Sequence, residues 1–381
     1  MRSGAPRKRP DPEARTRVVS PELGNPQISA RGVFVRMREM NGSRGRKRRA
    51  ALFDLYRKNL LAFEKDQLHL QVRKDDGSHT FVPLGHIYIC PLCLRAFGES
   101  ALDESLHPPP LTVEDVPPKS VTIGTSRTRL LTCRKCNNEA GTAAESHLER
   151  VLAWSDLRPG HADEPRRVTL KAEEAHVHAR LRIDSDGRHR YDIVGDAAEA
   201  GRSEFFENLE RTRRFSLVMA RPDLVRSQAA LLKTAYLLAF ASYGYSYIFS
   251  TTTLQLLRDR IATPESSSIA DRGILQLPDD LQVGLRSRSI NIVQKPVDLQ
   301  SLLVVFSLRR VDAMRSWAVF LPGPGCEAEL LYRNLESLAG QDLSLQTTEI
   351  LYDPPGMQEP VREPTERHRI LRLWSRLTGV V

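Results

Sequence analysis

Hydrophobic residues recur every three or four positions early in the chain. Between Ala50 and Phe63, the side chains of Leu52, Leu55, Tyr56, Leu60 and Phe63 fall on one face, which predicts an amphipathic helix. Gln67 to Pro83 instead alternates apolar and polar positions around Asp75-Asp76-Gly77, the pattern of a β-hairpin. Its second strand points on through Ile87-Tyr88-Ile89. A helix is expected from Leu148 to about Trp154, and a linker follows from Asp156 to Glu164, where Pro159 and Gly160 stand. Arg167 to Val194 predicts two strands turning at Ser185-Asp186-Gly187. Phe205 to Arg214 predicts a short charged helix, and Pro222 to Arg260 a strongly helical stretch with a break near Gly244. Ile274 to Phe320 is strand-rich, with apolar runs at Leu302 to Ser307 and Trp317 to Leu321. A helix over Glu327 to Leu338 and a short amphipathic piece over Ile370 to Leu377 complete the pattern, and no internal repeat is visible.

These elements predict an α+β chain in two parts. Residues 1–45 are expected to be a basic, Pro- and Arg-rich disordered tail, residues 46–155 a compact module, residues 166–352 a mixed α/β domain, and residues 353–381 a C-terminal tail. The long apolar run Ala229 to Phe249 contains Lys233 and several hydroxyl residues and has no second span beside it. It therefore predicts a buried core helix and no membrane partner. The net charge of +9 comes mostly from arginine, whose planar fork matches phosphate oxygens. A basic run, Gly42 to Arg49, leads into the first helix.

Four of the five cysteines form two Cys-x-x-Cys pairs, Cys90/Cys93 and Cys133/Cys136. No apolar run follows the charged N-terminus as a secretory signal would require, so a reducing, cytoplasmic setting is expected. There, paired Cys-x-x-Cys units predict a tetrathiolate zinc site, closed and therefore structural. A redox role for either pair is the lesser alternative, since neither sits in a thioredoxin-like βαβ setting. Cys326 stands alone and predicts an ordinary thiol.

Between the pairs lies Leu111-Thr112-Val113-Glu114-Asp115-Val116-Pro117-Pro118, and the second pair sits in Leu131-Thr132-Cys133-Arg134-Lys135-Cys136-Asn137-Asn138. In this order the segment 86–150 resembles the HNH endonucleases, specifically their zinc-braced branch with a ββα-metal fold. The resemblance implies an N-terminal zinc-braced HNH-like module followed by a mixed α/β C-terminal domain. It implies a divalent ion, Mg²⁺ or Mn²⁺, held by Glu114 and Asn137. Asp115 stands where that family has its general-base histidine. Gly141 and Glu145 fall on the family's recurring glycine and acidic positions. Lys119 to Thr132 would form the turn and second strand. An unperturbed aspartate is a poorer base than histidine by more than about two pKa units. Asp115 is therefore expected either to have its pKa raised by Glu114, to serve as a further ligand, or to mark a site that only binds. His107 and His147 are the nearest substitutes in sequence.

The resemblance implies hydrolysis of nucleic-acid phosphodiesters, DNA above RNA, with Arg127, Arg129, Arg134 and Lys135 neutralising phosphates. Antiphage defence is an analogy with bacterial stand-alone HNH proteins. The competing expectation is a catalytically impaired zinc-knuckle protein that binds nucleic acid or regulates. Roles open to the C-terminal part are signal sensing, substrate selection and formation of a homodimer.

Overall fold

The computed structural model describes residues 45–61, 70–73, 79–103, 110–122, 127–155, 166–194, 199–219, 221–249, 252–278, 288–310, 313–353 and 367–379. The chain divides into Met1–Gly45 and Arg46–Val381, and every named element belongs to the second unit apart from the first residue of helix α1, which spans 45–61. Helices and antiparallel sheets are mixed throughout. As the periodicity requires, Leu52, Phe53, Tyr56 and Leu60 of α1 are buried, while Phe63 lies outside the described residues. The expected hairpin is the pair β1 (Leu70–Arg73) and β2 (His79–Val82), with Leu70 opposite Val82. Its turn residues are also outside the described set.

Two further hairpins follow. Strand β3 (Ile87–Ile89) pairs with β4 (Ala96–Gly98), and β5 (Leu111–Val116) pairs with β6 (Thr128–Cys133). The chain leaves β6 directly into helix α2 (Arg134–Ala140), passes through a π-helical turn (Gly141–Glu145) and continues as α3 (Ser146–Ser155).

The segment expected to hold two strands holds three. Strands β7 (Arg166–Ala172), β8 (Ala175–Ile183) and β9 (His189–Ile193) form a meander, and β10 (Ser216–Val218) adds to its open edge. The unforeseen turn is at Glu173-Glu174, where Glu173 adopts a φ of 55°. Two glutamates carry no turn signature, so the sequence reads through it. Helix α4 (Glu199–Thr212) covers one face of this sheet, and its Phe205 joins Val168, Leu170, Val177, Ala179 and Leu181 in a small core of their own.

Helix α5 (Leu224–Tyr243) is buried nearly all round, as a helix apolar on every side must be. Asp223 caps its start by accepting from the Arg226 N–H at 3.1 Å. Gly244, at a φ of 58°, ends it, since a side chain there would be strained, and α6 (Tyr245–Ile248) and α7 (Gln255–Ala262) follow. No helix among the described residues is long and apolar enough to cross a membrane. One side of α5 packs on β5 and β6, and another on a five-stranded antiparallel sheet. The order there is β11 (Ile274–Gln276), β14 (Ala313–Leu321), β13 (Ser301–Arg310), β12 (Arg288–Lys295) and β15 (Gln346–Asp353). Helix α8 (Ala328–Ser337) packs beside it.

The expected partition at residues 155–165 does not coincide with a break in the core. Tyr88, Leu130 and Leu148 share one apolar cluster with Leu232, Phe240, Val304 and Phe320. The piece with its own interior is the four-stranded sheet and α4. The amphipathic piece expected near the C-terminus lies in helix α9 (Arg367–Thr378), whose Trp374 is buried so tightly against Gly323 that a Cβ there would lie 2.0 Å from the indole.

Two tyrosines tie the N-terminal hairpins to α5 and α6, and a third joins the hairpins to each other. Tyr236 donates to the Pro91 carbonyl at 2.8 Å, and Tyr88 to the Leu131 carbonyl. Tyr245 both donates to the Ile89 carbonyl, at 2.7 Å, and accepts from the Ile89 N–H, at 2.8 Å. Tyr245→Phe leaves both backbone groups of Ile89 buried without that partner. Urea titration should show a loss of about 1–3 kcal/mol. A stability unchanged from wild type would show the hydroxyl to be dispensable.

Candidate metal centre

Strand β3 runs into Cys90, and a tight turn through Pro91-Leu92-Cys93 returns the chain along β4. The turn is closed by the Leu94 N–H on the Cys90 carbonyl and by the Cys90 N–H on the Arg95 carbonyl, both at 2.9 Å. Leu94 takes a φ of 57° there. The second pair straddles a strand-to-helix junction, with Cys133 ending β6 and Cys136 in the first turn of α2. All four sulfurs lie within 4.8 Å of one another. Backbone N–H groups point at them, from Cys133 to Cys90 Sγ at 3.3 Å and from Cys136 to Cys133 Sγ at 3.4 Å. Four converging thiols with N–H donors behind them could hold a metal ion such as zinc. The set offers no position to substrate, so it would be structural. Sharing of S–H hydrogens splits the thiols: Cys133 is pulled down to about 7, chiefly by Cys136, while Cys136 is pushed up, chiefly by Cys133.

The hairpin that follows this brace sorts the acidic residues. In a strand, neighbouring side chains point to opposite faces. Glu114, opposite Leu130, faces α5, whereas Asp115, opposite Arg129, faces away. The two adjacent carboxylates therefore do not meet. Asp115 accepts from Arg129 Nε at 2.9 Å, with Arg127 at 3.9 Å. Asn137, one turn into the helix, donates to Thr112 Oγ1 at 3.0 Å, on the same face as Glu114.

Glu114 is only 4% exposed. Its Oε2 accepts from Thr132 Oγ1 at 3.1 Å and its Oε1 from Lys233 Nζ at 2.7 Å. The same ammonium reaches Glu145 Oε1 at 2.5 Å, at the end of the π-helical turn. Burial and the second carboxylate push the Glu114 carboxyl above its usual range despite the lysine. Lys233 is itself desolvated, yet the two carboxylates hold its pKa above the ordinary lysine value, so it stays an ammonium. A cation thus sits between Glu114 and Glu145, and it is supplied by the chain.

Lys233 is the residue the sequence reading missed. Its signal was present, as a single charge inside an apolar helix that must find a buried partner. The other expected residues scatter. His147 accepts the Asp223 N–H through Nδ1 at 3.1 Å, and its pKa is lowered by burial. His107 is outside the described residues. Arg134 is half-buried, and Lys135 is exposed with Glu139 at 3.9 Å. Arg127 and Arg129 flank Asp115 and remain partly exposed.

Comparison with protein-family models, with curated proteins and with solved structures finds no match for this chain.

Purified protein is expected to carry one metal ion per chain, zinc, by elemental analysis. Cys93→Ser should lower that occupancy, and Cys326→Ser should not. A folded, reduced sample without metal would overturn the assignment. The buried ion pair gives a second expectation. Lys233→Met strands two carboxylates in the core and should cost about 3–5 kcal/mol in denaturant unfolding. Lys233→Met with Glu114→Gln should recover part of that loss.

Proposed function

We propose that the protein is a metal-dependent nuclease acting on DNA phosphodiesters. The observation that carries the reading is the arrangement of a hairpin, a following helix and a tetrathiolate cluster at their junction. It sets Glu114 of β5 and Asn137 of α2 on one face, with Glu145 turned to the same cationic position as Glu114. The order of these residues is also that of the zinc-braced HNH endonucleases.

Oxygen donors of this kind suit Mg²⁺ or Mn²⁺. Glu114, Glu145 and Asn137 are the residues that would hold it, and the ion would supply charge stabilisation at a phosphate. The Lys233 ammonium marks the place as one that accepts a cation. It also has to withdraw before another cation enters. In this reading Asp115 is not the base. It orients Arg129 and Arg127 on the opposite face of the hairpin.

A second reading has its own observation. Glu114 and Glu145 already share the Lys233 ammonium, and Glu114 is closed to solvent. A protein locked in this way would bind nucleic acid without cutting it.

The test is cleavage of supercoiled plasmid and single-stranded DNA with Mg²⁺ or Mn²⁺. Nuclease action predicts nicking that falls at least about a hundredfold in Asn137→Ala. This half-exposed residue can be changed with little risk to the fold. Absence of cleavage by a zinc-loaded protein that still retards DNA would establish the second reading instead, and cleavage that persists without Mg²⁺ or Mn²⁺ would refute both.

A further inference from the structure

The outer face of the four-stranded sheet carries a cluster of basic side chains. Side chains alternate along β8, so that Ala175, Val177, Ala179 and Leu181 face α4 and His176, His178, Arg180 and Arg182 face out. Register brings Arg167 and Lys171 of β7 and Arg190 of β9 onto the same outer face. Two carboxylates stand among them, Asp192, opposite Arg180 and paired with Arg182 at 3.3 Å, and Asp184, paired with Arg190 at 3.6 Å.

The pairing is costly in isolation. Arg167 lies directly opposite Arg180, and Arg182 opposite Arg190. Like charges at directly opposed positions destabilise a sheet. Arg167, Lys171 and Arg180 make no ion pair among the described residues to offset that cost. Arg182 and Arg190 do have carboxylate partners, as do Arg211 with Glu173 and Arg333 with Glu329 away from this face. A polyanion laid across the sheet would relieve the repulsion.

The chemistry of the face selects the polyanion. A shallow concavity runs over it, lined by Arg167, Thr169, His178, Arg180, Val194 and Val218. The outward positions of the strands hold no Phe, Tyr or Trp. Binding of single strands relies on aromatic side chains that stack on bases. Arginines without a stacking platform instead contact phosphates of a paired duplex and leave its bases unread.

We infer that the outer face of β7, β8 and β9 is a docking surface for the backbone of double-stranded DNA. It would hold the substrate by phosphate contacts, apart from Glu114 and Asn137. This rests on the reading of the protein as one that handles nucleic acid, and the experiment separates the two.

Affinity of the zinc-loaded full chain for a fluorescent 20-base-pair DNA is measured without Mg²⁺ or Mn²⁺ over a range of salt. The variant is Arg167→Ala/Lys171→Ala/Arg180→Ala, all exposed positions, with an unchanged thermal melt as the check on folding. The control is Arg333→Ala on α8. The triple variant should raise Kd at least about tenfold and reduce the slope of log K against log salt by about 2–3. The control should change neither. A single-stranded oligonucleotide or an RNA duplex should bind more weakly than the DNA duplex. Unchanged affinity and slope in the triple variant, or a preference for single strands or RNA, would overturn the inference. Plasmid cleavage by wild type decides the nuclease reading independently. Loss of binding with no cleavage by wild type would leave this surface standing and the nuclease reading refuted.

Discussion

A buried ammonium held by two carboxylates is the contact on which the arrangement of this chain turns. Lys233 is 2% exposed, and removing its charge from water would be prohibitive without partners. Those partners come from far apart in sequence, Glu114 on a strand of the N-terminal hairpin and Glu145 at the end of a π-helical turn. The three charges can be satisfied only when α5 lies against both elements at once. Apolar packing would tolerate small slides between helix and hairpin, but the ion triad does not. It converts a greasy contact into one with a single register.

The thiol cluster and the tyrosines complete that fixation at other points on the same surface. The four cysteines bring the turn between β3 and β4 beside the junction between β6 and α2, where a metal shared by them would keep the hairpin from rotating against its own helix. Tyr236 and Tyr245 then anchor the backbone on both sides of Cys90 to α5 and α6. Tyr245 uses its one hydroxyl in both directions, which closes the exposed ladder of β3 where no further strand pairs. The Cys90–Cys93 turn is thus held from the rear by the C-terminal half, which explains why the core runs unbroken between the two.

Much of this was legible in sequence because it depended on local pattern. The spacing of Leu52, Tyr56 and Leu60 marked the buried face of α1. The Cys-x-x-Cys pairs announced a cluster, and the apolar stretch with a break at Gly244 marked the core helix. What escaped depended on partners distant in sequence. Lys233 was weighed only as a charge that argued against a membrane. Nothing near it named Glu114 or Glu145. The separation of Glu114 from Asp115 was recoverable, because two adjacent residues in a strand cannot share a face, yet their resemblance to a paired motif drew attention to the dipeptide. The turn at Glu173-Glu174 lacked turn residues, and Trp374 gained its role only from the bare backbone of Gly323.

Charge in this protein is sorted by the fold rather than by clustering along the chain. The arginines nearest the thiol cluster in sequence, Arg127 and Arg129, are drawn to Asp115 and lose much of their reach toward an outside anion. The alternation of β8 does the reverse. It takes residues that read in sequence as a diluted mixture of Ala, His, Val, Arg and Leu, and places every basic one outward. Across the sheet, register multiplies the effect by setting arginine against arginine. A surface of this kind has to be assembled from three strands before its sign is apparent. The net charge of +9 therefore says little by itself, whereas its distribution separates an inner acidic site paired with Lys233 from an outer, largely cationic plane. A duplex gripped by its phosphates on that plane would leave the hairpin free to differ between cutting and holding.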